Sequence, residues 1–245
     1  DMNPYDSSVE TMTRWLPMMH ALDKPRPMGD PQFNENMLFK RQADGTYANV
    51  SAERRINASG WSWSGEFGDL DNDGFLDLYV VNGMIDADLF NYLPNHELVE
   101  QNQAFRNQGD GSFMPAPEWG LGATESGRGM MLADFNNDGR LDLLQTGSTN
   151  LTISPMLQIW RNTGAGFVGI NPAIPPIGFS KSAWGDYDND GLLDLVLTGN
   201  RGRSISNIAV QVWRNTGAGF VSVDARMPGV QIGDAAWGDY DGDGR

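Results

Sequence analysis

The stretch Ala183-Trp-Gly-Asp-Tyr-Asp-Asn-Asp-Gly191 returns 53 residues later as Ala236-Trp-Gly-Asp-Tyr-Asp-Gly-Asp-Gly244. A second stretch repeats at the same offset, Gln158-Ile-Trp-Arg-Asn-Thr-Gly-Ala-Gly-Phe-Val168 becoming Gln211-Val-Trp-Arg-Asn-Thr-Gly-Ala-Gly-Phe-Val221. Two stretches in one register define a repeat and make chance similarity implausible. More diverged copies lie upstream: Phe67-Gly-Asp-Leu-Asp-Asn-Asp-Gly74 and Leu132-Ala-Asp-Phe-Asn-Asn-Asp-Gly139, with hairpin-like stretches Leu38 to Tyr47 and Phe105 to Phe113. The first Asp recurs at 69, 134, 186 and 239, at spacings of 65, 52 and 53.

Alternation and turn residues divide each unit into four short strands. In the clearest copy, Ser180–Trp184 is a first strand, the Asp-rich stretch a loop, and Leu193–Leu197 a second strand. Ile208–Arg214 is a third, Thr216-Gly-Ala-Gly219 a tight turn that needs positive φ, and Phe220–Val223 a fourth. Four antiparallel strands repeating every ~50 residues point to an all-β fold, a β-propeller of four-stranded blades. Residues 37–245 then hold the outer half of one blade, three whole blades and the opening of another. Such an array is a partial ring, with repeats expected to continue past Arg245 or the open edges to pair with other copies.

Two regions depart from the period. Asn82 to Gln103 lengthens the first whole blade and reads as a surface excursion carrying Asp86, Asp88 and His96. Residues 1–36 lie outside the repeat: Ser7-Ser-Val-Glu10 resembles a capping box opening a short helix toward Trp15 and Leu16, which Pro17 is expected to interrupt. Pro25, Pro27 and Pro31 then mark an extended segment.

In Asp69-x-Asp71-x-Asp73-Gly74-x-x-Asp77, carboxylates occupy positions one, three, five and nine, and Gly74 allows the chain to fold them around one centre. The carbonyl of Phe75 is the expected fifth ligand. The second loop offers Asp134, Asn136, Asp138, the carbonyl of Arg140, and Asp142; the third offers Asp186, Asp188, Asp190, the carbonyl of Leu192, and Asp194. The fourth, at 239–245, has Asp239, Asp241 and Asp243 and stops before its ninth position. Hard oxygens at flexible geometry suit Ca2+, whereas Mg2+ demands near-octahedral sites and keeps its water. Three to four Ca2+ ions are therefore expected. An EF-hand would need Glu at position twelve and flanking helices; those positions are Val80, Gln145 and Leu197, in strand-like sequence.

Composition agrees with this. Fourteen of the 32 acidic residues are loop aspartates, within a formal charge of −15. That charge argues against nucleic acid and anionic membranes, which require clustered Lys and Arg. With no Cys, disulfides, thiolate metal sites and Cys nucleophiles are excluded, and metal is left to staple the fold. No apolar run is long enough for a membrane span. Because the chain starts at Asp1 rather than Met, a leader or upstream region is expected to have been removed.

The Phe-Gly-Asp or Trp-Gly-Asp opening, the Asp loop and the Leu-Asp-Leu strand after it resemble FG-GAP/VCBS repeats, the units of integrin-α-type propellers and many bacterial exported proteins. The resemblance covers residues 37–245. It implies calcium bound between the first two strands of each blade. The Arg-Asn hairpins ending at Phe113, Phe167 and Phe220 further resemble the cartilage-acidic-protein-like subgroup. Asn136 in place of Asp and the shortened fourth loop depart from the pattern.

Trp184 and Trp237 share one repeat position and Trp160 and Trp213 another, so they are expected to pack between blades. Trp61, Trp63 and Trp119 are not periodic and could form a binding surface, although core packing is the simpler expectation. His20 and His96, the two histidines, have no partner at a catalytic spacing, and no enzyme is expected. Asn49, Asn57 and Asn150 match the N-glycosylation pattern. The functional expectation is a secreted or cell-surface calcium-binding module for adhesion or interaction, its partner a protein or an extracellular matrix polysaccharide. Alternatives are a carbohydrate-binding or polysaccharide-lyase propeller and a subunit of an extracellular fibre.

Overall fold

Strand-forming runs broken by Gly, Asn and Asp turns fold in the order the repeat dictates. The computed structural model describes residues 2–22, 35–83, 87–94, 98–149, 154–201, 207–230 and 233–242. The fourth loop's Asp243, the Pro25 to Pro31 segment, Asp86, His96 and Asn150 lie outside these residues.

The clearest repeat is a four-stranded antiparallel sheet, β12 (Gly178–Gly185), β13 (Asp194–Asn200), β14 (Ile208–Asn215) and β15 (Phe220–Val223), hydrogen-bonded in that order. The repeat before it has the same order: β8 (Ser126–Ala133), β9 (Asp142–Thr149), β10 (Ser154–Asn162) and β11 (Phe167–Ile170). In the first whole blade, β4 (Gly60–Gly68), β5 (Asp77–Asn82), β6 (Gln103–Asn107) and β7 (Phe113–Pro115) follow suit. A two-residue strand, β1 (Met2–Asn3), adds to the free edge of β4. The hairpin β2 (Phe39–Arg41) and β3 (Tyr47–Asn49) forms a two-stranded sheet, the expected outer half-blade. The first strands β4, β8 and β12 lie beside one another in space, so the sheets stack as the blades of a partial propeller.

Blade packing follows from which residues alternate inward. Leu70, Tyr79, Val81 and Leu121 of the first blade enclose a core with Met130, Leu143 and Phe167 of the second. Phe135, Leu144 and Ile159 of the second meet Leu195, Leu197 and Ala209 of the third. Each fully buried Leu or Ile here contributes about 1.5–3 kcal/mol. Trp184 stacks on Phe135 at 5.9 Å across this second seam, and Trp237 stacks on Tyr187 at 5.7 Å in the next. Trp160 and Trp213 pack against the first and second seams, as their shared period suggests.

Two expectations need correction. Pro17 does not interrupt the helix: α1 runs over Val9–Leu22, capped by Ser8, whose Oγ accepts the Thr11 N–H at 3.2 Å. An internal proline costs about 3 kcal/mol, which is offset because α1 buries Trp15 and Met18 against Trp61, Phe90 and Leu98. The 82–103 excursion is likewise not merely superficial, since its Phe90 and Leu98 are two of the five buried residues of that small core.

Candidate metal centre

Each of the first three Asp loops leaves a blade's first strand and enters its second, and its turn is built by its own carboxylates. Asp69 accepts the N–H groups of Asp73 and Gly74 at 3.0 and 2.9 Å. Asp134 accepts those of Asp138 and Gly139 at 3.0 and 2.8 Å, and Asp186 those of Asp190 and Gly191 at 3.0 and 2.8 Å. Position five continues the turn, Asp73, Asp138 and Asp190 accepting from Phe75, Arg140 and Leu192 at 2.9, 3.1 and 2.9 Å. The turn requires positive φ twice, at Asn72, Asn137 and Asn189 (59°, 56°, 60°) and at Gly74, Gly139 and Gly191. Asn and Gly tolerate that region best.

The ninth position is different, because it is buried. Asp77 accepts the N–H groups of Leu70 and Asn107, both at 2.9 Å. Asp194 accepts those of Tyr187 and Asn215 at 3.0 and 2.8 Å, and Asp142 that of Asn162 at 2.7 Å. Burial pushes all three carboxyl groups above the usual Asp range, and neighbouring loop aspartates push the same way. Asp142 reaches about 6. Without a cation, ionising these groups works against the fold.

The loops bring carboxylate oxygens together. Asp69, Asp71 and Asp77 each present an oxygen within 4.8 Å of the others, and Asp186, Asp188 and Asp194 repeat the arrangement. Oδ1 of Asp71 is buried with no hydrogen-bond partner among the described residues, an acceptor suited to a cation. The exposed Asp73 and Asp190 sit on the outer limb of the turn. The second loop gathers fewer charges: Asn136 replaces a carboxylate, its Nδ2 donates to Asp138 at 3.1 Å, and Arg140 pairs with Asp138 at 2.6 Å. In the fourth loop Asp239 accepts from Gly242 at 2.7 Å, one residue earlier than in its counterparts, and Asp241 is exposed.

Sequence reasoning missed what the Arg-Asn pairs of the hairpins do. Arg106 reaches Asp71 at 2.8 Å and Arg214 reaches Asp188 at 3.7 Å, so a guanidinium faces position three. In the second repeat that position is Asn136, which offers no charge to pair. The Asn of each pair binds the buried ninth Asp through its N–H, as given above for Asn107, Asn162 and Asn215. The signal was present in the recurring Arg-Asn, but only pairing across strands shows its target.

The non-periodic tryptophans divide. Trp61 and Trp119 are buried, while Trp63 is 38% exposed with the Arg128 guanidinium 4.1 Å from its ring centre.

The FG-GAP-like repeat family model matches residues 29–80, 86–144 and 186–245, well over half the chain. The chain belongs to the FG-GAP repeat family. Its Asp loops are therefore the loops of FG-GAP repeats, and its blades are theirs. No curated protein matches the chain. Among solved structures it is similar to a lectin of Agrocybe aegerita, described for its specific recognition of non-reducing terminal N-acetylglucosamine. That likeness has 19% identity and a TM-score of 0.48 over 76% of this chain and 44% of the lectin, so this FG-GAP chain spans less than half the lectin's length.

Proposed function

We propose that this FG-GAP chain is a calcium-clamped, non-catalytic propeller module that works outside the cell, presenting a rigid surface to a protein or matrix polysaccharide. The observation that carries the reading is the pair of matching clusters, Asp69/Asp71/Asp77 and Asp186/Asp188/Asp194. Carboxylate, amide and carbonyl oxygens on an irregular loop suit calcium, which takes six to eight oxygens at flexible geometry, better than magnesium, which demands a near-octahedral site and keeps its water.

In each loop the Asp at positions one, three, five and nine, and the carbonyl of Phe75, Arg140 or Leu192, would hold the ion. Asn136 supplies a neutral oxygen in the second. The ion supplies positive charge where buried carboxylates otherwise repel, and so ties the first two strands of a blade together. Extracellular calcium near the millimolar level fills even modest sites. At one hundred times its Kd, each bound ion adds about 2.7 kcal/mol to stability.

The test is thermal unfolding in calcium, in magnesium and in chelator. Calcium is expected to raise the melting temperature by many degrees over chelator, with magnesium recovering little of it. Identical melts in all three would sink the proposal.

A further inference from the structure

The first three Asp loops are joined to one another twice at each of the two seams between whole blades, and neither join is needed to form a loop by itself. The outer join is a side chain. Nδ2 of Asn72, at position four of the first loop, donates to the carbonyl of Gly139 in the second at 2.8 Å. Asn137 of the second loop repeats this on Gly191 of the third at 2.7 Å. Gly139 and Gly191 lie between a carboxylate ligand, Asp138 or Asp190, and the residue whose carbonyl completes the set, Arg140 or Leu192.

The inner join runs through the hairpin Asn. Asn162 donates its backbone N–H to the ninth-position Asp142 at 2.7 Å and its side-chain Nδ2 to the carbonyl of Leu70 at 2.8 Å. Leu70 directly follows Asp69, the first ligand of the preceding loop. Asn215 makes the same pair of bonds, to Asp194 at 2.8 Å and to the carbonyl of Phe135, next to Asp134, at 2.8 Å. A ligand of one loop is thus connected to a ligand of the next through one Asn, on both seams.

We propose that the loops take up cations cooperatively, neighbour by neighbour, with Asn72 and Asn137 on the surface and Asn162 and Asn215 beneath it as the positioning residues that carry the coupling. This rests on the calcium reading above. A cation that orders one loop fixes the donor or carbonyl that the neighbouring loop must meet, so the neighbour loses less conformational freedom when its own ion arrives. The effect is reciprocal between the two sites. Repulsion between the ions acts the other way but weakly, because a doubly charged ion on a loop of three or four carboxylates leaves that loop with net negative charge. In the fourth loop position four is Gly242, so the surface join cannot start from it.

Calcium titration of the whole chain, followed by calorimetry and by terbium luminescence, tests the coupling. The variant is Asn72→Gly with Asn137→Gly, since Gly accepts the positive φ and only the donors are lost. The wild type should fill with a Hill coefficient above unity. The variant should bind the same number of ions with a clearly lower coefficient and a midpoint raised about fivefold, the inner joins through Asn162 and Asn215 keeping the rest of the coupling. If the double variant does not fold, by far-ultraviolet circular dichroism, the single Asn72→Gly chain should show a smaller loss of steepness. Independent filling in the wild type, or equal steepness in wild type and variant, overturns the coupling while leaving the ions in place. Absence of any bound calcium would overturn the calcium reading itself, and the coupling with it.

Discussion

Asp190 and Asp194 stand four residues apart in one loop, yet only one is buried, and this separates two kinds of contribution. Asp194 holds the N–H groups of Tyr187 and Asn215, so Asp194→Ala leaves donors unpaired at about 1–3 kcal/mol each. Its melting temperature should fall in chelator and in calcium alike. Asp190 is exposed and water can replace its bond to the Leu192 N–H, so Asp190→Ala should lose little in chelator and much more in calcium. Differential scanning fluorimetry in both buffers checks the pair, and equal losses in both buffers for Asp190→Ala would contradict a ligand role. Glu100 gives a second residue-scale expectation. It is 4% exposed, accepts the Trp61 N–H at 3.0 Å through Oε2, and is pushed up to about 7 chiefly by burial. A carboxyl raised in this way stabilises the fold while protonated, fully below the unfolded value near 4.5, and loses that contribution as pH rises through about 7. Glu100→Gln should therefore gain on the wild type between pH 4.5 and 8, by up to about 3 kcal/mol. Urea unfolding across that range measures the gap, and a constant difference would refute it.

Among elements, the strands were readable and their partners were not. Phe220–Val223 emerges with the bounds that alternation predicts, and Ile208–Asn215 extends its expected span by one residue. The first strand gains Gly178 and Phe179 because it pairs with Asn200 across a bulge, a register set by the neighbouring strand rather than by local pattern. In α1, local propensity expected a break at Pro17 that packing on Trp61 and Phe90 overrides. The hairpin Asn carries the element-scale prediction. Asn162→Ala orphans the carbonyls of Leu70 and Leu141, which its Nδ2 reaches at 2.8 and 3.2 Å. Loss of these bonds at the first seam should cost about 1–3 kcal/mol in urea unfolding, in chelator as well as in calcium. Thr163→Ala, one residue on in the exposed turn, should change stability by less than about 0.5 kcal/mol.

At the scale of the whole molecule, stability should depend on pH with a sign that calcium reverses. With no ion bound, Asp77, Asp142 and Asp194 all hold their protons more tightly folded than unfolded, Asp142 titrating near 6. The folded state is then favoured at acid pH and loses that advantage as pH rises from the unfolded value near 3.8 through about 6. The aspartates whose values are lowered, Asp6, Asp44 and Asp110, act only below about 3.8 and lie outside this window. In a Glu100→Gln background, chelated protein should melt higher at pH 5 than at pH 7, and calcium-loaded protein higher at pH 7. The same order in both buffers would count against ions in these loops. The sequence by itself determined the repeat, the four-strand unit, the glycine turns and the loop carboxylates, because each is a property of residues a few places apart. Tertiary structure alone decided that the ninth Asp is a buried hub, that Arg106 and Arg214 face position three, and that each loop is tied to the next through Asn72, Asn137, Asn162 and Asn215. Those contacts join residues as many as 92 positions apart, and only the stacking of one blade on another brings such residues within hydrogen-bonding reach.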